Sequence, residues 1–225
     1  MGILSPVSSV LVLASHPDDE TLGCGGTLLR HRSLGDTLTW CIGTRPTAPR
    51  WSETVIKAKE REIEQVAAAY GFARVHRLGH PATRLAEVDR SIVISQLREV
   101  AAEAKADTVY CVAGEDIHQD HQALFAAAAS AFKPFRSAVR SLLTYETISS
   151  TDLASPSAPA FRPNVFTDIG AFIDEKLRIL ALYESEIATA PFPRSPETVR
   201  ALAQVRGAAA GVRYAEAFQS IRESR

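Results

Sequence analysis

Val10-Leu11-Val12-Leu13-Ala14, followed at once by Ser15-His16-Pro17-Asp18-Asp19-Glu20, is the stretch that decides the reading of this chain. A short run of apolar residues with no polar side reads as a strand covered on both faces. Four ionisable side chains then fall within five residues, directly where that neutral element ends. Pro17 stiffens the turn, and adjacent positions on such a turn point in different directions. His16 and Asp19 can therefore converge on one point while Asp18 faces a neighbouring one. Imidazole plus carboxylate suits a divalent first-row ion, zinc especially. Acids capping a helix N-terminus are the plainer reading; it explains the carboxylates but not the histidine.

Outward from this stretch the chain alternates short apolar runs with helix-like segments. After Gly25-Gly26 a helix starting near Thr27 is expected to stop near Gly35. Residues 37–42, 74–78, 108–112 and 142–146 read as further strands. Residues 51–70, closed by Gly71, 89–105 and 121–132 read as helices. This repetition calls for a Rossmann-like α/β architecture, a mostly parallel sheet between two helical layers. Reactive groups then belong in loops at the carboxyl ends of the strands. Residues 149–163, rich in Ser, Ala and Pro, read as a loop; 165–169 read as a short strand, and 171–186 and 196–210 as helices. Neither repeat nor linker is evident, so a single domain over residues 1–225 is expected.

The second cluster is Glu115-Asp116-Ile117-His118-Gln119-Asp120-His121, directly after the strand at 108–112. Capping by Asp116 or Asp120 with solvated histidines is the plain alternative here too. Both clusters nevertheless fall at carboxyl ends of expected parallel strands, where the fold would set them side by side. Three of the six histidines lie in these two stretches.

Together these residues resemble the PIG-L / LmbE-like family of metal-dependent N-deacetylases, which remove acetyl groups from N-acetylglucosaminyl compounds. The family's A-H-P-D-D-E hallmark reads here as residues 15–20 with Ser15 in first place, and its H-x-D-H hallmark as His118-Gln119-Asp120-His121. Arg206-Gly207 and Tyr214-Ala215-Glu216-Ala217-Phe218 match a further C-terminal feature. The resemblance implies a divalent ion, Zn2+ or another first-row metal, held by His16, Asp19 and His121. It makes Asp18 the general base that takes a proton from the attacking water. His118 would stabilise the oxyanion or protonate the leaving amine, with Asp120 orienting it and favouring its charged form. Tyr214 is implied as an oxyanion donor, against the alternative of a core aromatic. Arg206 reads as an anchor for the C-terminal segment, a contact to a substrate oxygen, or a surface ion pair. Lys59 and Arg61 occupy the helix where the family often carries a pocket arginine, but their Lys/Glu/Arg run reads as a solvated face. The expected partner is a small N-acetylated sugar, and a homo-oligomer is compatible. A non-catalytic metal- or sugar-binding member of the same scaffold is the rival reading; the complete ligand set and the retained Asp18 argue against it.

Composition narrows the field further. The chain has 225 residues, 46% hydrophobic and 23% charged, with formal charge −1 from 25 basic and 26 acidic side chains. Such balance supplies no field for nucleic-acid backbones or anionic lipid. No stretch has the roughly 20 apolar residues that span a bilayer, so no membrane span is expected. Met1-Gly2 resembles a lipid-attachment start, but Pro6 stands where Ser or Thr is required. Cys24, Cys41 and Cys111 lie far apart in apolar runs and read as free buried thiols, which points to a cytoplasmic setting. Gly23-Cys24-Gly25-Gly26 lacks the spacing of a dinucleotide-binding turn, and no G-x-S-x-G elbow occurs.

Overall fold

In the computed structural model the alternation of strands and helices resolves into one seven-stranded sheet. Residues 7–155, 157 and 159–224 are described. Met1, Gly2 and Pro6, weighed above for lipid attachment, lie outside them, as do Pro156 and Ala158 of the expected loop. The strands are β1 (Ser9–Ala14), β2 (Thr37–Arg45), β3 (Arg74–Pro81), β4 (Thr108–Val112), β5 (Ser141–Tyr145), β6 (Val165–Asp168) and β7 (Ala215–Glu223). Their order across the sheet is β3-β2-β1-β4-β5-β7-β6. The first five pair in parallel, whereas β7 runs antiparallel to both β5 and β6.

The chain steps outward from β1 through β2 to β3, then returns to the other side of β1 to place β4 and β5. Right-handed crossovers then set α1 (Asp19–Ser33) and α2 (Glu53–Tyr70) on one face, and α3 (Arg90–Ala104) and α4 (Gln119–Ala131) on the other. α3 packs on α4, while α1 packs on α2 and on α5 (Ile173–Leu180), and α5 on α6 (Pro196–Ala210). β1 lies at the centre, and Val10 to Ala14 are completely buried, as the unbroken apolar run requires. Burying each Val or Leu there contributes about 1.5–3 kcal/mol. Because β2 and β4 flank β1 but are reached in opposite senses, the loops after β1 and β4 diverge and open a crevice. Both polar clusters sit on that crevice.

Three elements differ from the sequence expectation, each for a physical reason. α1 begins at Asp19 rather than near Thr27, and its path is broken at Cys24 (φ −139°, ψ 17°). A Cβ on Gly23 would strike the Tyr145 ring, and one on Gly26 would strike Ile169, so the glycines serve close approach. The second half of the helix is capped by Glu216, whose two carboxylate oxygens accept from Gly26 N (2.8 Å) and Thr27 N (2.7 Å). β7 is absent from the sequence expectation, because Ala215-Glu216-Ala217 carries none of the β-branched residues that mark a strand; pairing on both sides makes it one. α5 stops at Leu180, short of residue 186, and the chain beyond turns Tyr183 inward to donate to Glu20 at 2.6 Å. The three cysteines are free and buried, as expected.

Glu216 also holds the buried Lys176 ammonium at 2.7 Å, and Lys176 donates to Leu22 O at 2.9 Å. Glu216→Ala leaves that charge and two helix amides unsatisfied, so a loss of about 3–5 kcal/mol is expected in urea unfolding.

Candidate active site

The turn after β1 carries His16, Pro17 and Asp18 into the crevice, and α1 begins at Asp19. His16 N donates to Asp19 Oδ2 at 2.8 Å, fixing one carboxylate relative to the imidazole. From the other side, α4 begins at Gln119 and delivers His121 from its first turn. His121 Nε2 lies 3.3 Å from Asp19 Oδ1 and 3.4 Å from His16 Nδ1, and His16 Nδ1 lies 3.7 Å from Asp19 Oδ2. Donors about 2.0–2.2 Å from a tetrahedrally held ion stand about 3.3–3.6 Å apart; the two His121 contacts match that spacing, while His16 Nδ1 lies slightly farther from Asp19 and nearer its other oxygen. The donor atoms of His16, His118 and His121 also lie within 4.8 Å of one another, which brings His118 closer to the same point than the sequence implied.

Each imidazole has a carboxylate behind it. His16 Nε2 lies 3.0 Å from Asp120 Oδ2, and His121 Nδ1 lies 2.9 Å from Asp116 Oδ2, although that N–H does not point squarely at the oxygen. Paired in this way, His16 presents Nδ1 and His121 presents Nε2 to the shared point. Asp120 also accepts from Thr83 N (2.6 Å) and Leu85 N (2.9 Å), tying the loop after β3 to the site. Asp116 accepts from His118 N and Thr151 Oγ1, both at 2.7 Å, and from Ser150 Oγ. Burial lowers the His121 imidazole's affinity for a proton, but Asp19 and Asp116 outweigh it and raise its pKa to about 10. The crevice floor is thus arranged around a positive charge.

Asp120 reaches His16 and His118 through different groups. Its carboxylate serves His16 and two loop amides, and it meets His118 only through its own backbone N–H, which donates to His118 Nδ1 at 3.1 Å. Burial, with His16 and His121 nearby, lowers the His118 pKa from its ordinary value in spite of Asp120. Accepting at Nδ1 leaves the proton of the neutral ring on Nε2. Asp116, offered by the sequence only as a cap, is the missed carboxylate.

Asp18 is buried and adopts φ 131°, a strained backbone for a residue with a side chain. Thr83 and Ser149, also at positive φ, line the same cavity. Burial pushes the Asp18 carboxyl well above the ordinary carboxylate range; Asp19 and Glu186 add to this, and Arg194 and Lys59 oppose it. Glu20 lies beneath, accepting from Asp18 N at 3.2 Å, with burial raising its own pKa to about 7.

The cavity above these residues measures about 450 Å3. Pro46, Trp51 and Val55 form an apolar side, and Lys59, Glu186 and Arg194 a charged one. Lys59 therefore reaches the cavity instead of lying on a solvated face, whereas Arg61 is exposed. Arg194 and Glu186 come from the irregular chain between α5 and α6, where no pattern in the sequence marked them as site residues. Arg206 pairs with Glu146 through two hydrogen bonds of 2.7 and 2.6 Å, away from the cavity, and so anchors α6. Tyr214 is not among the cavity's lining residues either; Arg200 and Arg213 lie over its ring at 5.8 and 5.3 Å.

A three-layer α/β fold with a histidine- and aspartate-lined crevice at the sheet's switch point is a ligand-binding arrangement with the donors of a metal site. More than half of the chain, residues 11–132, matches the PIG-L family model, described as GlcNAc-PI de-N-acetylase, and the chain belongs to that family of deacetylases. It is 24% identical over 186 residues to a probable N-acetyl-alpha-D-glucosaminyl L-malate deacetylase 2 of Bacillus cereus, covering 79% of this chain and 83% of that one. It is 26% identical over 229 residues to a diacetylchitobiose deacetylase of Thermococcus kodakarensis, covering 96% and 84%. Among solved structures, the conserved protein TT1542 of Thermus thermophilus superposes with TM-score 0.76 at 26% identity, covering 97% of each chain. The 4-carboxy-2-hydroxymuconate hydratase GalB of Pseudomonas putida shares the fold at TM-score 0.73 and 19% identity, covering 97% and 98%, so the fold alone does not set the reaction. Among the described residues no helix is long and apolar enough to cross a membrane.

With Tyr214 outside the cavity, Tyr214→Phe is expected to leave acetate release unchanged in a steady-state assay; a large loss of turnover would return it to the site.

Proposed function

We propose that this chain hydrolyses the acetamide of an N-acetylglucosamine-type sugar or its conjugate, using a divalent ion, zinc by preference, held by His16, Asp19 and His121. The convergence of His16 Nδ1, Asp19 and His121 Nε2 beside an Asp18 carboxyl tuned upward is the observation that carries this reading. Two neutral nitrogens and one carboxylate suit zinc and leave a further position free, the pattern of catalytic rather than structural sites; the same donors accept other first-row ions. When bound, such an ion polarises an amide carbonyl and acidifies water.

The chain's own groups do the rest. Asp18 accepts the proton of the attacking water, a task helped by a carboxyl whose affinity for protons burial has raised. His118 offers Nε2–H from a ring whose Nδ1 is occupied, so it donates a hydrogen bond to the developing oxyanion, and the proton taken up by Asp18 is passed to the departing amine nitrogen as the C–N bond breaks. Asp116 and Asp120 hold the two imidazoles in the required tautomers and orientations. Lys59, Glu186, Thr147 and Ser149 line the cavity and offer it groups that can hydrogen-bond sugar hydroxyls. The curated relatives named above act on N-acetylated sugars, which favours that substrate class. A cytoplasmic, single-domain enzyme is the setting in which three buried free thiols are most easily kept.

Acetate release from a panel of N-acetylglucosaminides, with metal content measured on the same samples, tests the reading. Replacing His16, Asp19 or His121 by Ala is expected to remove metal and activity together. Asp18→Asn should keep the metal and lose roughly 10²–10⁴-fold in turnover. Parental turnover in Asp18→Asn would overturn its role, and metal binding without acetate release from any substrate would favour the binding-module reading. Asp116→Ala and Asp120→Ala, which leave every proposed ligand in place, should weaken zinc affinity by about 10–100-fold in competition titrations.

A further inference from the structure

Asp18 Oδ2 accepts from Arg194 Nη1 at 2.7 Å, and the same nitrogen lies 3.0 Å from Glu186 Oε2. Glu186 is gripped in turn by Lys59 at 2.6 Å, and Lys59 by Glu62 at 2.9 Å and Ser185 at 2.9 Å. A chain of alternating charge thus runs from α2 through the segment after α5 to the turn after β1. Arg194 Nε is buried with no partner of its own, so Nη1 and a cation–π contact with Phe192 (5.4 Å) locate the guanidinium. Among the described residues no hydrogen bond goes to Asp18 Oδ1. One carboxylate oxygen is therefore tied and the other is left for water.

We propose that Arg194, braced by Glu186 and Lys59, is a positioning residue for Asp18 that locks its tied oxygen and thereby aims the free one. The inference rests on the role given to Asp18 above. The geometry explains why an aspartate at φ 131° keeps one orientation: its backbone is strained, so a side-chain clamp is needed to hold it. It also explains why two cations line the cavity without conferring a net positive wall, since each is paired with a carboxylate. A small angular error in a general base is costly, because proton transfer and attack are coupled in one transition state.

The test compares Arg194→Ala, Arg194→Lys and Asp18→Asn in the metal-loaded full chain, assayed on N-acetylglucosaminides with metal content measured throughout. Arg194→Ala should keep its metal and lose roughly tenfold to hundredfold in kcat. KM should stay within about threefold of the parent, since no substrate contact is removed. Added guanidinium ion should restore part of the lost kcat by refilling the clamp, and Arg194→Lys should fall between parent and Ala because an ammonium keeps the charge but not the fork. If Arg194→Ala loses metal through misfolding, Arg194→Lys is read alone, and it must keep metal and show a kcat loss. Parental kcat, or a loss carried wholly by KM, overturns the proposal; the latter makes Arg194 a substrate contact. Asp18→Asn separates the failures. If it turns over normally, the general-base reading fails; if it is inactive while the Arg194 variants are unimpaired, only the clamp fails.

Discussion

The concentration of carboxylates at the carboxyl ends of β1 and β4 is the constraint that organises the rest of the structure. Asp19, Asp116 and Asp120 are buried around two imidazoles. Buried anions this close together are tolerated only with a compensating positive charge and saturated hydrogen bonding. The protein supplies both where it can: backbone amides of Thr83, Leu85 and His118, hydroxyls of Ser150 and Thr151, and a His121 imidazole carried up to about 10 by its two acid neighbours. A divalent ion would meet that demand more fully than a proton. The loops after β1, β3, β4 and β5 are all tied to this charge, so hydrogen bonds join them into one connected crevice.

The parallel sheet and its switch point do the placing. Because β1 is covered on both sides by oppositely wound halves, the turn at residues 15–18 and the loop at 113–118 have no other strand between them. The C-terminal third contributes differently. β7 returns antiparallel and brings Glu216 under the broken α1, so that the helix carrying Asp19 starts where the site needs it. Asp18 is then held from below by Glu20, two residues on, and from the side by Arg194, from a distant part of the chain.

Much of this was legible in the sequence, and the gaps have identifiable causes. The β1 run, the helices closed by Gly71 and by Lys105, and both polar clusters follow from local patterns of apolar spacing and end signals, and they appear where those patterns put them. That the two clusters would lie side by side was legible from the strand ends, whereas the choice of His16, Asp19 and His121 within them came from the family resemblance. The second carboxylate partner was not legible, because the choice between Asp116 and Asp120 depends on how α4 starts, and His118 starts it by accepting from Asp120 N. Arg194 lies in chain without periodicity, and Glu186 ends a segment read as helix but lies beyond Leu180, where α5 stops, so only tertiary packing reveals them as site residues. Tyr214 was drawn toward the site by resemblance alone and lies among Arg200 and Arg213, while Arg206, read first as an anchor for the C-terminal segment, pairs with Glu146.

Stripping the protein with a chelator and returning zinc stepwise, while acetate release from an N-acetylglucosaminide is followed, tests the central claim most directly. The account predicts no release from the stripped chain and recovery that saturates at about a single equivalent per chain, the stoichiometry of a mononuclear site. Full acetate release before any metal is returned would contradict it.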